Sequence, residues 1–497
     1  MFCGYLPPLR HSAGVSRRTG DGIAMSSPTA SPRAETQPET QPSLIRGLSL
    51  MDSVLLLTGG IIGAGVFLTA RDIAAVLHTP ALFIGVWVIG GAITMLGCLA
   101  FAELGAMYPQ AGGPYLYLRE AYGDFIAFLY GWMVFTVYNT GGIAALAVGF
   151  GAYFAAAVPG LRDAAPLIAA GSYTLSWAQL LGVICIVALT AVNVYGLRRG
   201  AIVQDISSWM KFAAIGIFLL LGIFSSKGSW SHFSSAAYVP QSLDLRTLAP
   251  ALGVALIAVF WGYDSWIYIG WVAGEVKHPQ RNIPRSLIIS ILVVAAVYLL
   301  MNVLYVYAMS ISEITQHETI ARAAAERLFS PAAGVWISAM IALSSFGATS
   351  AAILSGARVY YAMAADGLFF RRMGVVHPRW RTPAFSLMIQ GIWSAILTLS
   401  GRYDQLFTYA IFMGVLASCL TVAGLFILRR KHPEIPRPFR CLGYPIVPAV
   451  YVLVSGVWAL NTLVERPLEA LGGIGIVLLG VPGYLYWKRT SRNAVVP

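Results

Sequence analysis

The sequence predicts an all-α membrane protein of about twelve transmembrane helices, arranged as a five-plus-five inverted repeat followed by two more helices. Three observations carry that prediction. The 497 residues are 58% hydrophobic and only 11% charged, a balance that no soluble globular chain of this length has. About twelve apolar runs reach the roughly 20 residues needed to span a bilayer. Two of those runs, the first and the sixth, are interrupted near mid-membrane by residues that break helices.

Residues 1–43 stand apart. They are rich in Ser, Thr, Pro, Gln and Arg and hold no sustained apolar run, so they are expected to form a disordered cytosolic tail. They also lack the apolar core of a secretory signal, and Met25 offers an alternative start. The remainder, 44–490, divides into a first repeat over about 48–225, a second over about 247–428 and extra helices over about 442–487. Residues 491–497 form a short C-terminal tail.

The apolar runs lie near 48–71, 81–107, 124–157, 176–197, 201–225, 247–274, 285–310, 331–364, 383–400, 404–428, 442–463 and 468–487, and are numbered as spans 1 to 12. The third and eighth exceed what a straight crossing requires and are expected to tilt. Basic residues gather in alternate connections: Arg46, Arg119, Arg198, Arg199, Lys277, Arg281, Arg285, Arg371, Arg372, Arg429, Arg430, Lys488 and Arg489 fall on one side. By the positive-inside rule that side is cytoplasmic and both termini lie there. The net charge of +12 thus reads as orientation in a bilayer and not as nucleic-acid binding. The five cysteines, Cys3, Cys98, Cys185, Cys419 and Cys441, show neither metal-ligand spacing nor a disulfide framework. No nucleophile–base pair is visible, so an enzyme is not expected, and neither is a cofactor.

Span 1 breaks at GGIIGAGVF, residues 59–67, where each glycine weakens a continuous helix by roughly 1 kcal/mol relative to Ala. Span 6 breaks at Gly262, Asp264 and Ser265, and an aspartate at that depth requires a partner or a cavity. The breaks are five spans apart. An odd number reverses the direction of entry, which is the pattern of an inverted repeat with a site between two discontinuous helices. A helix that restarts presents N–H groups at the positive end of its dipole, and one that stops presents carbonyls at a negative end. Gly63, Ala64 and Gly65 are therefore candidates to bind a carboxylate, and carbonyls around Ile61 and Trp261 to bind an ammonium. An α-amino acid carries both groups on one carbon.

Together with these residues, four further stretches make the sequence resemble the amino acid–polyamine–organocation superfamily, and within it the L-type amino acid transporters. They are AELGAMYPQAGGPYLYLREAYG at 102–123, YDSW with GEVKHPQRNIPR over 263–285, SGARVYYAMAADG at 355–367 and KHPEIPRPFRCLGYP at 431–445. The resemblance covers roughly 45–490. It implies amino acid transport by alternating access, and places substrate contacts at Ile61, Gly63, Ala64, Gly65, Trp261, Gly262 and Asp264, with Trp261 as a gate. Ala64 stands where the family often has Ser, and Asp264 and Ser265 stand where it often has two small residues. Neutral substrates and exchange are expected, with proton symport, or transport of cationic amino acids or polyamines, as alternatives. A sensor on a transporter scaffold ranks below them.

Lys211 matches the span 5 lysine of sodium-independent members, where an ammonium takes the place of a sodium ion and ties span 1 to span 8. It lies about ten residues, some 15 Å, into its span, too deep to snorkel easily. Thr349 and Ser350 of span 8 are candidates to line the site near it. Glu103 is read as pairing with a loop arginine, and Arg358 as a cytosolic gate or packing residue. Members that pair with a glycoprotein do so through a cysteine between spans 3 and 4. Residues 158–175 contain none, so no disulfide-linked heavy chain is expected.

Overall fold

A computed structural model describes residues 44–493 apart from 64, 159, 162–164, 171–172, 235–244, 318, 401–402 and 466. The tail 1–43 and the last four residues thus lie outside the described residues. The described chain is almost entirely helical. Spans 1 to 5 are Leu50–Ile61 continued by Gly65–Leu68 and Ala70–Val76, then Pro80–Met107, Asp124–Ala157, Trp177–Val194 and Leu197–Ile223. Spans 6 to 10 are Leu245–Tyr263 resumed at Tyr268–Trp271, then Pro279–Ala308, Pro331–Ala365, Ala384–Leu399 and Tyr403–Lys431. Span 11 is Ile446–Glu465, and span 12 is Pro467–Leu478 with Gly480–Asn493. Ten stretches of the described residues are long and apolar enough to cross a membrane; spans 6 and 9 supply the shorter apolar helices Leu248–Tyr263 and Ala384–Leu399.

Local chemistry sets the starts. Span 1 opens with a capping box in which Ser49 and Asp52 satisfy each other's backbone N–H, and span 4 repeats the device with Ser176 and Gln179. Spans 2 and 8 begin with Thr79–Pro80 and Ser330–Pro331, a capping hydroxyl followed by a proline whose missing N–H costs nothing there. The connection between spans 3 and 4 also carries a small antiparallel hairpin, Ile168–Ala170 against Tyr173–Leu175, which the apolar pattern did not announce.

The packing is that of an inverted repeat. Span 2 lies along span 7, span 3 along span 8 and span 4 along span 9, so each is paired with its counterpart five spans later. Spans 3 and 8 are 34 and 35 residues long, well beyond a perpendicular crossing. Apolar side chains such as Ile184, Val187, Ile217, Leu220, Leu292, Leu453 and Leu460 are exposed on the outside, where lipid covers them. Inside, glycines let the broken helices approach their neighbours. A Cβ on Gly59 would sit 2.2 Å from both Gln204 Nε2 and Ser208 Oγ of span 5.

Candidate functional site

Span 1 stops at Ile61 and restarts at Gly65, with Ala64 outside the described residues. Span 6 stops at Tyr263 and restarts at Tyr268. The two breaks meet. A Cβ on Gly65 would lie 3.1 Å from Gly262 Cα and 3.2 Å from Trp261 Cδ1, so any larger residue would press the two helices apart by a few tenths of an ångström. Between them is a small cavity of about 20 Å³, room for a single water, lined by Gly60, Ile61, Gly63, Gly65, Trp261 and Asp264 from the breaks and by Tyr138 and Asn139 from span 3. Five of the expected contact residues therefore line one space. Gly262 stands behind it, its missing side chain filled by Trp87, whose ring would come within 2.8 Å of a Cβ there.

The carbonyls at the end of the first half of span 1 would be orphans in lipid. Here other spans satisfy them. Lys211 is buried, and its Nζ donates to Gly59 O at 2.8 Å and also to Ile62 O. Ser344 Oγ of span 8 donates to Ile62 O at 2.8 Å and reaches Gly63 O at 3.3 Å. Tyr298 of span 7 places its hydroxyl 3.0 Å from Ile61 O and 2.6 Å from Gly262 O, bridging the two breaks. Ile61 O also accepts from Gly63 N–H at 2.8 Å, so this carbonyl, expected to face an ammonium, already has a backbone donor besides the Tyr298 hydroxyl it shares with Gly262 O.

Ser344 occupies the position near Lys211 that was expected of Thr349 and Ser350. Thr349 donates to Ser345 O within its own helix, and the Ser350 hydroxyl is buried with no hydrogen-bond partner among the described residues. In a run as rich in small and hydroxyl residues as ALSSFGATSAAILSG, composition does not say which turn meets span 1.

Span 6 is held differently. Asp264 N–H donates to Trp261 O at 3.2 Å and Tyr268 N–H to Ser265 O at 3.1 Å, so the break closes on itself as successive turns. Ser265 has φ 78°, a left-handed conformation uncommon for a residue with a side chain. Strain of this kind persists where surrounding structure imposes it, often at functional sites. Tyr138 Oη donates to Asp264 Oδ1 at 2.8 Å. Tyr138 ends a π-helical turn, Val134–Tyr138, another feature that recurs at functional sites. Asp264 is the one charged side chain among the described residues lining the cavity. Beside it, Asn139 gives its Nδ2 to Gln390 Oε1 at 3.1 Å, while its buried Oδ1 has no partner among the described residues. The sequence reading passed over Tyr138, Asn139, Tyr298 and Ser344. The polar pair Tyr138–Asn139 inside the apolar span 3 was the signal for the first two.

One face of the bundle, where the arginine-rich connections gather, is tied by ion pairs. Arg358 meets Glu275 through two hydrogen bonds of 2.7 and 2.9 Å with both side chains buried. Glu275 O accepts from the N–H groups of Gly47 and Leu48, each at 2.9 Å, and Lys277 N–H donates to Leu48 O at 2.8 Å. The entry to span 1 and the exit of span 6 are thus stitched together beside the Arg358 pair. Glu103 is held by Arg429 at 2.6 and 2.9 Å and by Arg437 at 3.4 Å, the arginine pairing that the sequence suggested. Asp366 pairs with Arg119 and accepts from Tyr115 Oη at 2.9 Å. Burial, then the charge of Asp366, pushes the Tyr115 hydroxyl up, so it stays protonated and donating.

Residues 48–470 match the family described as "Amino acid permease". The chain is 30% identical to the serine/threonine exchanger SteT of Bacillus subtilis (strain 168), over 90% of this chain and 98% of that one. It is 29% identical to the large neutral amino acids transporter small subunit 2 of Homo sapiens, over 90% and 82% of the two chains. Against the b(0,+)-type amino acid transporter 1 of Mus musculus the identity is 27%, over 90% and 89%. The chain belongs to the amino acid permease family, and is a multi-pass amino acid transporter.

Proposed function

We propose that this protein is a sodium-independent exchanger of neutral amino acids that works by alternating access, with substrate held between the breaks of spans 1 and 6. The observation that carries this reading is the cavity between the two breaks, with the glycine backbone of span 1 on one side and Trp261 on the other. In this reading the N–H groups at Ala64 and Gly65, joined by that of Gly63 once it leaves Ile61 O, receive the substrate carboxylate, and Trp261 closes over it. The amino group takes the carbonyl end of the site once Tyr298 releases Ile61 O. Lys211 supports sodium independence: a fixed ammonium against Gly59 O and Ile62 O makes a second cation there unfavourable. Exchange and neutral substrates accord with what two of the relatives are named for.

Asp264 favours a second reading, transport of cationic amino acids or polyamines, because its carboxylate is the cavity's charged group. Proton-coupled uptake, with Lys211 losing its proton during the cycle, is a third. The basic face is taken as cytoplasmic, with both termini on it, and assembly through a disulfide to a heavy chain is not proposed because residues 158–175 lack cysteine.

Uptake of labelled neutral amino acids into sodium-free proteoliposomes tests these readings. Uptake that requires preloaded unlabelled substrate is expected. Uptake into empty vesicles driven by an inward proton gradient would replace exchange by symport. Competition by arginine or putrescine, but not by serine or leucine, would move the substrate to the cationic class.

A further inference from the structure

The arginine-rich face holds a second concavity, separate from the central cavity. It is a cleft of about 670 Å³ lined by Arg46, Pro109, His278, Gln280, Arg281 and Arg285, together with Pro279 and Asn282. None of these is a carboxylate. Elsewhere on this face Arg119, Arg358, Arg429 and Arg437 all meet Asp366, Glu275 or Glu103. The three arginines of the cleft have no ion pair among the described residues.

Their placement is unfavourable without an anion. Arg281 and Arg285 are one turn apart, and like charges at that spacing repel. Arg281 also lies in the first turn of the 30-residue helix Pro279–Ala308, where the macrodipole disfavours cations and favours anions. The cap residue of that helix, His278, makes no side-chain capping bond. A multiply charged or phosphate-bearing anion would relieve all three conditions at once.

The same helix indicates where the anion comes from. Arg281 and Arg285 are exposed, and their stripe continues through Ile289, Leu292, Ala296 and Leu299, all exposed to the surroundings of the bundle. Basic side chains set directly above a lipid-facing apolar stripe suit a phosphate headgroup whose acyl chains lie along the helix. We propose that this cleft is a binding site for the phosphate group of an anionic phospholipid. The bound headgroup bridges Arg46, just before span 1, to Arg281 and Arg285 at the start of span 7. It thereby braces the Gly47–Leu48 and Glu275–Lys277 stitch that joins spans 1 and 6.

The test is lipid retention by the full-length purified protein, read by native mass spectrometry with phosphatidylglycerol and phosphatidylcholine as competing probes. Preferential retention of phosphatidylglycerol is expected. Replacing Arg46, Arg281 and Arg285 with Gln should weaken it by about fivefold per arginine, roughly a hundredfold for the three. Arg371→Gln with Arg372→Gln, exposed on the same face outside the cleft, should leave it unchanged. Equal retention of the two lipids overturns the proposal, as does an equal loss in the control variant, which would mean a diffuse surface charge. A soluble inositol phosphate is the second probe. Arginine-dependent binding of that probe with no preference among lipids would assign the cleft to a free organophosphate and overturn the lipid source. Uptake of amino acids by the triple variant separates this result from the transport reading, which stands whichever way the lipid test falls.

Discussion

The breaks of spans 1 and 6 look alike in sequence and are built on opposite principles. In span 1, glycines remove helical hydrogen bonds and leave carbonyls that three other spans satisfy, through Lys211, Ser344 and Tyr298. In span 6 the chain turns back on itself in consecutive turns, with the Tyr298 hydroxyl of span 7 reaching its backbone at Gly262 O, at the cost of a left-handed Ser265, and aims a carboxylate into the cavity. The first break is therefore a junction, whose geometry depends on helices from both repeats. The second is a local turn that carries a side chain. A cycle that moves spans 5, 7 or 8 is transmitted to the site chiefly through span 1.

That contrast can be broken from its strongest tie downward. Lys211→Met should have the largest effect, because Gly59 O loses its side-chain donor and Ile62 O keeps only Ser344. Unsatisfied buried groups cost about 1–3 kcal/mol each, so thermal unfolding in detergent should show a loss of roughly 2–4 kcal/mol, and exchange should disappear. Unchanged exchange in this variant would remove Lys211 from the mechanism. Gly65→Ala comes next. Its Cβ presses on Gly262 Cα, and overpacking costs about 1–3 kcal/mol; uptake should fall more steeply than stability, since the cavity itself is distorted.

Tyr298→Phe removes one hydroxyl shared by both breaks. A loss near 1 kcal/mol is expected, along with altered substrate affinity if Ile61 O becomes free for an ammonium. Ser344→Ala should cost about as much or slightly less, because Lys211 still reaches Ile62 O. A double-mutant cycle of Lys211→Met and Ser344→Ala should show strong coupling, because both side chains serve one carbonyl. Additivity would mean that the two act separately. Ser265→Gly should have the smallest effect and the opposite sign. Relief of the left-handed conformation should offset the greater freedom of glycine in the unfolded chain and leave a gain of up to about 1 kcal/mol. A loss of stability would show that the Ser265 side chain supports the break.

Legibility in the sequence followed the same division. The glycines of 59–65 and the Asp264–Ser265 pair announced both breaks, because helix breakers inside an apolar run contradict their surroundings. Glu103 was readable as an arginine partner because a carboxylate at a span end needs one. Ser344 was not distinguishable from Thr349 and Ser350, since a helix dense in small polar residues offers equivalent candidates on successive turns. Tyr298 was hidden for another reason: one tyrosine in an aliphatic span looks like packing until the far ends of two broken helices arrive beside its hydroxyl.

By itself the sequence determined the class and the plan: an apolar chain must span, breakers must open spans 1 and 6, and five intervening connections must invert the second half. It also determined that Lys211 lies too deep for water to solvate. Only the tertiary structure decided which donors serve which carbonyls. Hydrogen bonds between spans act over about 3 Å, whereas a helix face read from sequence leaves a turn of 5.4 Å undetermined along the axis. The choice of Ser344, Tyr298 and Tyr138 is made by how spans 3, 7 and 8 slide and rotate against the two breaks, which no single span records.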